Sequence, residues 1–281
     1  MIKKAVILAA GLGTRMQKKD PAVVLDKETE SFADEGAKGL IKISQTPFID
    51  YVIDQFLQAG IKEFCFVIRP VEDKIQGHLK NLKKAHPDIK ISFAIQKHQK
   101  GTADAVLCAE EFAGKDEFIL SNYDNVYGVG TLKKLCSTKP KVCYVAAYKK
   151  SFLLKNSNIR KERFKGFGII QYNEHSSLIR IVEKPEDPKK YSTEGSIYLN
   201  MNLFKFTPDI FKACRSIGYD LKRNEYELPS AVQYLVDKKF PFYIIKGCDI
   251  IVDITERKDI QTAREMLKSV RIEKLKKQGG G

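Results

Sequence analysis

The stretch Ala5-Val-Ile-Leu-Ala-Ala-Gly-Leu-Gly-Thr-Arg-Met16 decides the fold, because an apolar run ends there in two glycines. A short apolar run that stops at glycines is typical of an interior strand of a parallel sheet. Apolar residues at 48, 49, 52, 53, 56 and 57 then predict a helix over 48–59, with Gly60 as its stop signal. The pattern therefore predicts a strand, a glycine turn and, further on, a helix.

Strands and helices alternate through the rest of the first half. The apolar patterns predict strands at 64–68, 89–95 and 117–121, and helices at 71–85 and 102–112. This alternation predicts an α/β fold, a Rossmann-like doubly wound sheet with helices on both faces. Ligands of such sheets bind beyond the carboxyl ends of the strands, which is where the glycine turn falls.

The second half has a different pattern, with strands that follow one another without regular helices between them. It predicts a smaller mixed sheet, and Thr255 is a good N-cap for a long basic C-terminal helix. The predicted strands lie at 142–148, 168–172, 178–183, 198–206, 242–245 and 250–252, and the predicted helices at 208–216 and 228–237.

Composition excludes several classes of protein. The 281 residues are 43% apolar and 30% charged, which is typical of a globular protein and not of a disordered chain. No stretch approaches the roughly eighteen apolar residues that a membrane span needs. The six cysteines form no C-x-x-C pair, which favours a reducing cytoplasm over a disulfide framework. The four histidines have no zinc-binding spacing.

The net charge is the unusual feature of the composition. Lysine and arginine number 49 against 35 acidic residues, a formal charge of +14. Nucleic acid, a membrane surface or a small polyanion would each explain this excess, and so would solvated lysine-rich helix faces. The sequence lacks the recognition motifs and interleaved aromatic residues of a nucleic-acid-binding protein, so we expect no nucleic-acid partner.

The glycine turn at Gly11-Leu-Gly-Thr-Arg-Met16 matches neither of two common phosphate motifs. Met16 stands where the dinucleotide fingerprint G-x-G-x-x-G ends in glycine, and the Gly-Lys-Ser/Thr of the P-loop is missing. Its backbone N–H groups could still hold phosphates, with Arg15 adding bidentate contacts. By itself the turn is equally consistent with an ordinary tight turn after a strand.

The longer run Leu8-Ala-Ala-Gly-Leu-Gly-Thr-Arg-Met16 is more specific, because it resembles the L-A-[AG]-G-x-G-[TS]-R signature of the sugar-1-phosphate nucleotidylyltransferase family. Six further segments are similar to family motifs and follow in the family's order over about residues 1–265. They are Ala37–Ile41 (with alanine for the usual proline), Gln96 with Gly101–Ala103, Tyr123–Asn125, Gly166–Ile170, Ile181–Pro185 and Val252–Thr255.

The resemblance implies an enzyme that makes an NDP-sugar and pyrophosphate from an NTP and a sugar 1-phosphate, with Mg²⁺ as cofactor. UTP or dTTP and glucose 1-phosphate are the favoured substrates. The attacking phosphate oxygen is already anionic, so the reaction needs positioning of two polyanions and no general base. The implied partners are therefore the NTP and the sugar 1-phosphate, with no membrane, while assembly into a homo-oligomer stays open.

The resemblance also assigns roles to residues. Arg15 would hold the leaving phosphates, Lys38 the α-phosphate and Lys184 the sugar phosphate, while Asp124 and Asp253 would be the Mg²⁺ carboxylates. The implied nucleotide-binding residues are Leu8, Ala9, Ala10, Gly11, Gly13, Thr14, Gln96, Gly101 and Thr102, with Gln96 and Gly101 reading the base. The implied sugar-binding residues are Gly168, Glu183 and Asn200.

We expect one nucleotidyltransferase domain over 1–265, with a nucleotide-binding half at 1–140 and a sugar-binding half at 141–254. We expect residues 255–281 to form a C-terminal helix and tail. The segment 17–36 is long and polar with little periodicity, so it predicts a loop that acts as a lid or an extra substrate contact.

Three departures from the family pattern leave the substrate open. Tyr123 and Asn202 stand where the family usually has glycine, and Ile254 replaces part of a D-x-G turn. A cytidylyltransferase for another phosphorylated acceptor is therefore an alternative, as is a catalytically silent regulatory protein on the same fold. The joint presence of the three cations Arg15, Lys38 and Lys184 with the two aspartates argues against the silent protein.

Overall fold

A computed structural model of the chain describes residues 2–70, 74–221 and 223–275. The strands are β1 (Lys4–Leu8), β2 (Lys42–Ile43), β3 (Thr46–Pro47), β4 (Glu63–Ile68), β5 (Lys90–Ile95), β6 (Phe118–Asn122), β7 (Asn125–Tyr127), β8 (Cys143–Lys149), β9 (Ile169–Tyr172), β10 (Leu178–Val182), β11 (Tyr198–Phe206), β12 (Phe242–Lys246) and β13 (Ile251–Asp253). The helices are α1 (Thr14–Gln17), α2 (Lys27–Asp34), α3 (Phe48–Gln58), α4 (Lys74–Ala85), α5 (Thr102–Leu107), α6 (Glu110–Ala113), α7 (Val129–Cys136), α8 (Lys150–Asn156), α9 (Asp209–Ser216), α10 (Leu228–Asp237) and α11 (Arg257–Leu267).

Nine of these strands form one mixed sheet with a buried strand, β1, near its centre. The strands β5, β4, β1 and β6 are parallel, and β11 joins β6 in the antiparallel direction. Ala5, Val6 and Ile7 are fully buried, because helices cover both faces of the sheet. Ala5 and Ile7 belong to one core with α3, α4 and α11, and Val6 belongs to the other with α5, α9 and α10. The α/β doubly wound fold is therefore confirmed.

The second half continues the same sheet through the long strand β11. Strand β9 and then β10 extend it on one side, and β8 with the parallel β12 extend it on the other. The predicted smaller mixed sheet is thus joined to the first half. Two short two-stranded sheets, β7 with β13 and β2 with β3, lie apart from the main sheet.

Two predicted helices need correction. The helix predicted over 102–112 divides into α5 and α6, because the backbone at Ala109 (φ −93°, ψ 5°) leaves the helical region. The C-terminal helix is capped by Glu256 in place of Thr255, since Asp259 accepts the N–H of Glu256 in a capping box and the Thr255 hydroxyl donates to Asp253.

Helix α8 lies between two strands where no regular helix was predicted. It is only seven residues long with Leu153 as its buried residue, so its apolar pattern is too weak to reveal it. The other predicted elements begin and end within about two residues of the observed ones. The start of the helix predicted at 71 and the glycines at the chain end fall outside the described residues.

The segment 17–36 is not the irregular loop that its composition suggested, because Lys27–Asp34 forms helix α2 with Asp26 as N-cap. Thr29 and Ala33 are buried, and the Arg264 guanidinium of α11 donates to the Thr29 hydroxyl at 2.9 Å. None of residues 17–36 lines the cavity that is described below. A role as a lid stays a prediction, and the observed contacts join the segment to α11.

Two structural observations concern membrane spans and disulfide bonds. In the described part of the chain, no helix is both long enough and apolar enough to cross a bilayer. All six cysteines are described and none is in a disulfide.

Candidate active site

A cavity of about 510 Å³ lies beyond the carboxyl ends of β1 and β6, where this fold is expected to bind ligands. The predicted site residues that line it are Leu8, Ala10, Gly11, Gly13, Thr14, Arg15, Lys38, Gln96, Gly101, Thr102 and Asp124. A second recess, of about 650 Å³, lies at the amino ends of β1 and β4 and is lined by none of the predicted residues. The first cavity is therefore the candidate active site.

Two glycines fix the shape of the turn after β1. Gly13 and Gly36 both have left-handed backbones, with φ of 67° and 70°. A Cβ on Gly13 would lie 2.7 Å from the carbonyl oxygen of Gly36, too close for any side chain. The Met16 N–H donates to the Gly13 carbonyl at 2.9 Å and begins α1. This packing holds the exposed Arg15 on the cavity wall.

Lys38 and Asp124 form an ion pair on the same wall. The Lys38 ammonium donates to the Asp124 carboxylate and lies 5.4 Å from the ring centroid of Tyr123. Lys38 is only 7% exposed, and burial lowers its pKa. Asp124, with smaller contributions from Tyr123 and Asp253, more than offsets that effect, so the pKa of Lys38 lies above its usual value. Lys38 therefore stays a cation next to the cavity.

Tyr123 replaces the usual family glycine and supports this pair. It is buried, and its hydroxyl donates to the Gly36 carbonyl at 3.4 Å. A Cβ on Gly39 would meet the Tyr123 ring at 3.1 Å, so the ring packs against the turn that carries Lys38. Tyr123 also lines the cavity, so its large ring forms part of the wall next to Lys38.

Asp253 lies behind Asp124 and does not line the cavity. Asp124 immediately precedes β7 and Asp253 ends the neighbouring strand β13, where Asn125 is paired with Asp253 and the Ile254 N–H donates to the Asp124 carbonyl at 3.1 Å. Asp253 is 4% exposed. Its Oδ1 accepts from Arg163 at 2.7 Å and from Thr255 at 2.8 Å, and its Oδ2 accepts from Asn125 at 3.0 Å.

Arg163 is the cation that neutralises this buried carboxylate. It also donates to Asp259 on α11 at 3.0 Å and to the Thr255 hydroxyl at 2.8 Å. Burial raises the pKa of Asp259, and Arg163 opposes that rise. Arg163 therefore links the predicted metal residue Asp253 to the start of the C-terminal helix.

The donor set fits a magnesium ion in part. Mg²⁺ prefers oxygen ligands and is usually held by one or two carboxylates together with substrate phosphates. Asp124 meets this requirement because it lines the same cavity as the glycine turn. Asp253 is close by, but its oxygens already accept three hydrogen bonds. In the described part of the chain no cluster of three or more metal-ligating side chains occurs.

The predicted base-reading segment is held by a loop from the second half. Gly101 has φ of 112°, and a Cβ there would lie 2.5 Å from the Tyr226 carbonyl oxygen. The Tyr226 N–H donates to the Lys100 carbonyl at 2.7 Å, and the Leu228 N–H donates to the Thr102 hydroxyl at 2.9 Å. Gln96 lies next to this segment and is buried. Ala9 is buried as well, but it does not line the cavity.

The three predicted sugar-binding residues form a cluster of their own. The Asn200 N–H donates to the Gly168 carbonyl at 2.8 Å, and a Cβ on Gly168 would lie 2.3 Å from Glu183 Oε1. Burial raises the pKa of Glu183, and Arg223 opposes that rise. Asn202 has φ of 56° and accepts from Asn200, so this asparagine adopts the left-handed conformation for which the family pattern uses glycine.

Arg223 connects this cluster to the cavity. It lines the cavity wall, forms an ion pair with Glu227, and lies 3.8 Å from Glu183 Oε2. Lys184 is exposed and lies outside the cavity wall. Burial raises the pKa of the nearby Glu225 carboxyl, and the positive charges of Arg223 and Lys184 oppose that rise. The predicted sugar-binding residues and Lys184 therefore do not line the cavity, and Arg223 lies between the cavity and Glu183.

The prediction missed several residues of the site. Gln99, Arg223, Asn224 and Glu225 line the cavity, and Gln99 donates to the Ala10 carbonyl at 3.0 Å. Arg163 holds Asp253 although it does not line the cavity. None of these residues has a local sequence signal, because each gains its place through contacts with a distant part of the chain.

Comparison with known proteins identifies the family. A family model described as nucleotidyl transferase matches residues 30–267. The chain is 24% identical over 236 residues to the UTP–glucose-1-phosphate uridylyltransferase AglF of Haloferax volcanii, covering 83% of each chain. It is 26% identical over 237 residues to a glucose-1-phosphate thymidylyltransferase of Streptomyces griseus, covering 83% of this chain and 57% of that one.

Solved structures share the fold at lower identity. A UDP-glucose pyrophosphorylase complexed with UDP-glucose is 21% identical, with a TM-score of 0.71 over 96% of this chain and 100% of that one. An inositol-1-phosphate CTP transferase from T. maritima is 14% identical, with a TM-score of 0.71 over 96% and 97%. Because the family model spans most of the chain, the protein belongs to the nucleotidyl transferase family and is a nucleotidyltransferase, as the sequence resemblance predicted.

Proposed function

We propose that the protein transfers a nucleotidyl group from an NTP to the phosphate of a sugar 1-phosphate and releases pyrophosphate. UTP or dTTP and glucose 1-phosphate are the favoured substrates. One observation carries the proposal: a single cavity brings the glycine turn, Arg15, Lys38 and Asp124 to the carboxyl ends of β1 and β6. The names of the curated relatives support it, since they act on UTP or a thymidylyl donor together with glucose 1-phosphate.

The nucleotide end of the cavity would bind the triphosphate. The backbone N–H groups of Gly11 and Gly13 would hold its oxygens, and the exposed Arg15 would bind the β- and γ-phosphates that leave. Lys38 would bind the α-phosphate, because it is a buried cation on the cavity wall. This arrangement reduces the repulsion between two polyanions, which is the main barrier to their approach.

The acceptor end would bind the sugar 1-phosphate. Glu183 and Asn200 would form hydrogen bonds with sugar hydroxyls, and Gly168 would leave space for the sugar ring. Lys184 would bind the sugar phosphate. A phosphate oxygen of the sugar 1-phosphate would attack the α-phosphorus of the NTP as the bond from that phosphorus to pyrophosphate breaks. That oxygen is already anionic, so no side chain has to remove a proton from it.

We also propose Mg²⁺ as the cofactor, held by Asp124 and by phosphate oxygens of the NTP. When bound, the ion would neutralise charge on the phosphates. Asp253 would keep the strand that follows Asp124 in place through its partners Asn125 and Arg163.

The test is a pyrophosphate-release assay with Mg²⁺ across ATP, CTP, GTP, UTP and dTTP, each paired with several sugar 1-phosphates. We expect turnover with UTP or dTTP and glucose 1-phosphate. Turnover with CTP and another phosphorylated acceptor would favour the cytidylyltransferase alternative. Nucleotide binding without turnover on any pair would favour a silent regulatory protein.

A further inference from the structure

Asp104 on α5 holds the side chain of Gln96 in one orientation. The Gln96 Nε2 group donates to the Asp104 carboxylate at 2.8 Å and to the Gly101 carbonyl at 3.0 Å. Gln96 is 4% exposed, and Asp104 is partly buried. Both hydrogens of the Gln96 amide are therefore directed at oxygen acceptors.

The chemistry of these two partners decides which way the amide lies. A carboxylate and a backbone carbonyl only accept hydrogen bonds, so each requires the NH₂ group of Gln96. Turning the amide by 180° would place its oxygen against two other oxygens and remove both hydrogen bonds. A buried polar group that loses its partner is costly, so the observed orientation is strongly favoured. Gln96 thus offers its carbonyl oxygen, an acceptor, to a ligand in the cavity that it lines.

We infer that Asp104 is a positioning residue that sets the base preference of the enzyme. This inference rests on the proposed function, because it takes Gln96 as a contact of the nucleobase. Uracil and thymine carry a hydrogen on ring nitrogen N3, which donates to the Gln96 carbonyl. In cytosine the same nitrogen is an acceptor, so its lone pair would face the carbonyl oxygen. A site built to accept a hydrogen bond discriminates against a ligand that lacks the donor.

A purely structural role for Asp104 has different consequences. Asp104 lies in the first turn of α5, where a carboxylate stabilises the helix by interacting with the positive end of its dipole. Loss of that interaction lowers the stability of the protein, but it does not alter the ratio between two nucleotides that differ only in the base. The ratio is therefore the readout that separates the two roles.

The experiment is calorimetric measurement of the dissociation constants of UDP and CDP for the wild type, Asp104→Ala and Asp104→Asn. The same variants are assayed for kcat/KM with UTP and with CTP. We expect the wild type to prefer UDP over CDP, and Asp104→Ala to reduce that preference about tenfold, as expected for one mismatched polar contact. Asp104→Asn should keep the preference, because the asparagine carbonyl still accepts from Gln96. Glu111→Ala, which removes an exposed carboxylate from the neighbouring helix, is the matched control and should leave the ratio unchanged.

Several results would overturn the inference. The first is a wild type that prefers CDP. The second is an unchanged preference for UDP over CDP in Asp104→Ala. The third is an equal fall of that preference in Asp104→Ala and Asp104→Asn. Because calorimetry measures binding without turnover, a failure of the proposed function can be distinguished from a failure of the base-preference inference. UDP binding with the predicted ratios but no pyrophosphate release would contradict the proposed function and support the base preference.

Discussion

The nucleotide end and the acceptor end of the candidate site are built in different ways. At the nucleotide end the shape comes from backbone, since Gly13 and Gly101 have positive φ and a Cβ on either would collide with main-chain atoms. At the acceptor end the shape comes from charged side chains, with Glu183 near Arg223 and Arg223 paired with Glu227. Backbone geometry tolerates little substitution, whereas a network of side chains can be rearranged. We therefore expect the nucleotide end to define the reaction and the acceptor end to define the substrate.

The largest effect is expected for Asp124→Asn. The change keeps the size of the side chain but removes the charge that faces Lys38 and the proposed Mg²⁺. We expect pyrophosphate release to fall about 10³-fold, the size found when one preorganised group is removed from an active site. Asp116→Asn removes an exposed carboxylate that pairs with Lys4 and should retain activity. Full activity of Asp124→Asn would break the assignment of the nucleotide end.

The next prediction compares two glycines of the same turn. Gly13→Ala would place a Cβ 2.7 Å from the Gly36 carbonyl oxygen at a residue with φ of 67°, so we expect a loss of about 2 kcal/mol in the free energy of unfolding. Gly11→Ala meets nothing within 4 Å and should lose much less. Urea denaturation of the two variants measures the difference. Equal losses would show that backbone packing does not set this turn.

A third prediction makes the same comparison at the acceptor end. In Gly168→Ala the new Cβ would lie 2.3 Å from Glu183 Oε1, and that flexible side chain has to move. We expect the KM for the sugar 1-phosphate to rise about tenfold, equivalent to ~1.4 kcal/mol, with little change in stability or in nucleotide affinity. Gly166→Ala, which meets nothing within 4 Å, is the control. A change in nucleotide affinity as large as the change in KM would contradict the separation of the two ends.

The two ends also differ in how far the sequence could predict them. The positions that need glycine form a local motif, so Gly13 and Gly101 could be recognised from a few neighbouring residues. Arg223 and Arg163 reach the site only because distant parts of the chain meet there. The loop that carries Arg223 packs on the Gly101 segment, where Leu228 and Thr102 are 126 residues apart in the sequence, and Arg163 binds Asp253 across 90 residues. The fold class followed from apolar periodicity, whereas α8 and the cap at Glu256 depend on single contacts that periodicity does not report.

The smallest effect concerns helix α2, which the composition of 17–36 did not reveal. The Asp26 carboxylate accepts the Thr29 N–H at 2.9 Å, and this hydrogen bond lowers the pKa of Asp26 to about 2. Because the folded pKa is below the ordinary value of 3.8, the contribution of Asp26 is present at neutral pH and is lost as the pH falls through about 2. Asp26→Ala should therefore cost about 1 kcal/mol of unfolding free energy at pH 7 and less in acid.

Asp26→Asn is the matched control for that prediction. Asparagine is an equally good N-cap, so the variant should have nearly wild-type stability at pH 7. Its stability should lack the part of the acid dependence that comes from Asp26. Chemical denaturation at several pH values measures both variants. A stability difference between Asp26→Ala and the wild type that does not change with pH would contradict the role of the carboxylate.

The central claim is that the two ends act on one bond, between the α-phosphorus of the NTP and the phosphate oxygen of the sugar. Incubation of the protein with Mg²⁺, glucose 1-phosphate and UTP labelled with ³²P at either the α- or the γ-phosphorus tests it most directly. We predict that the α-label appears in UDP-glucose and the γ-label in pyrophosphate. Label from the γ-position in a sugar product, or release of the γ-label as free phosphate, would contradict the account.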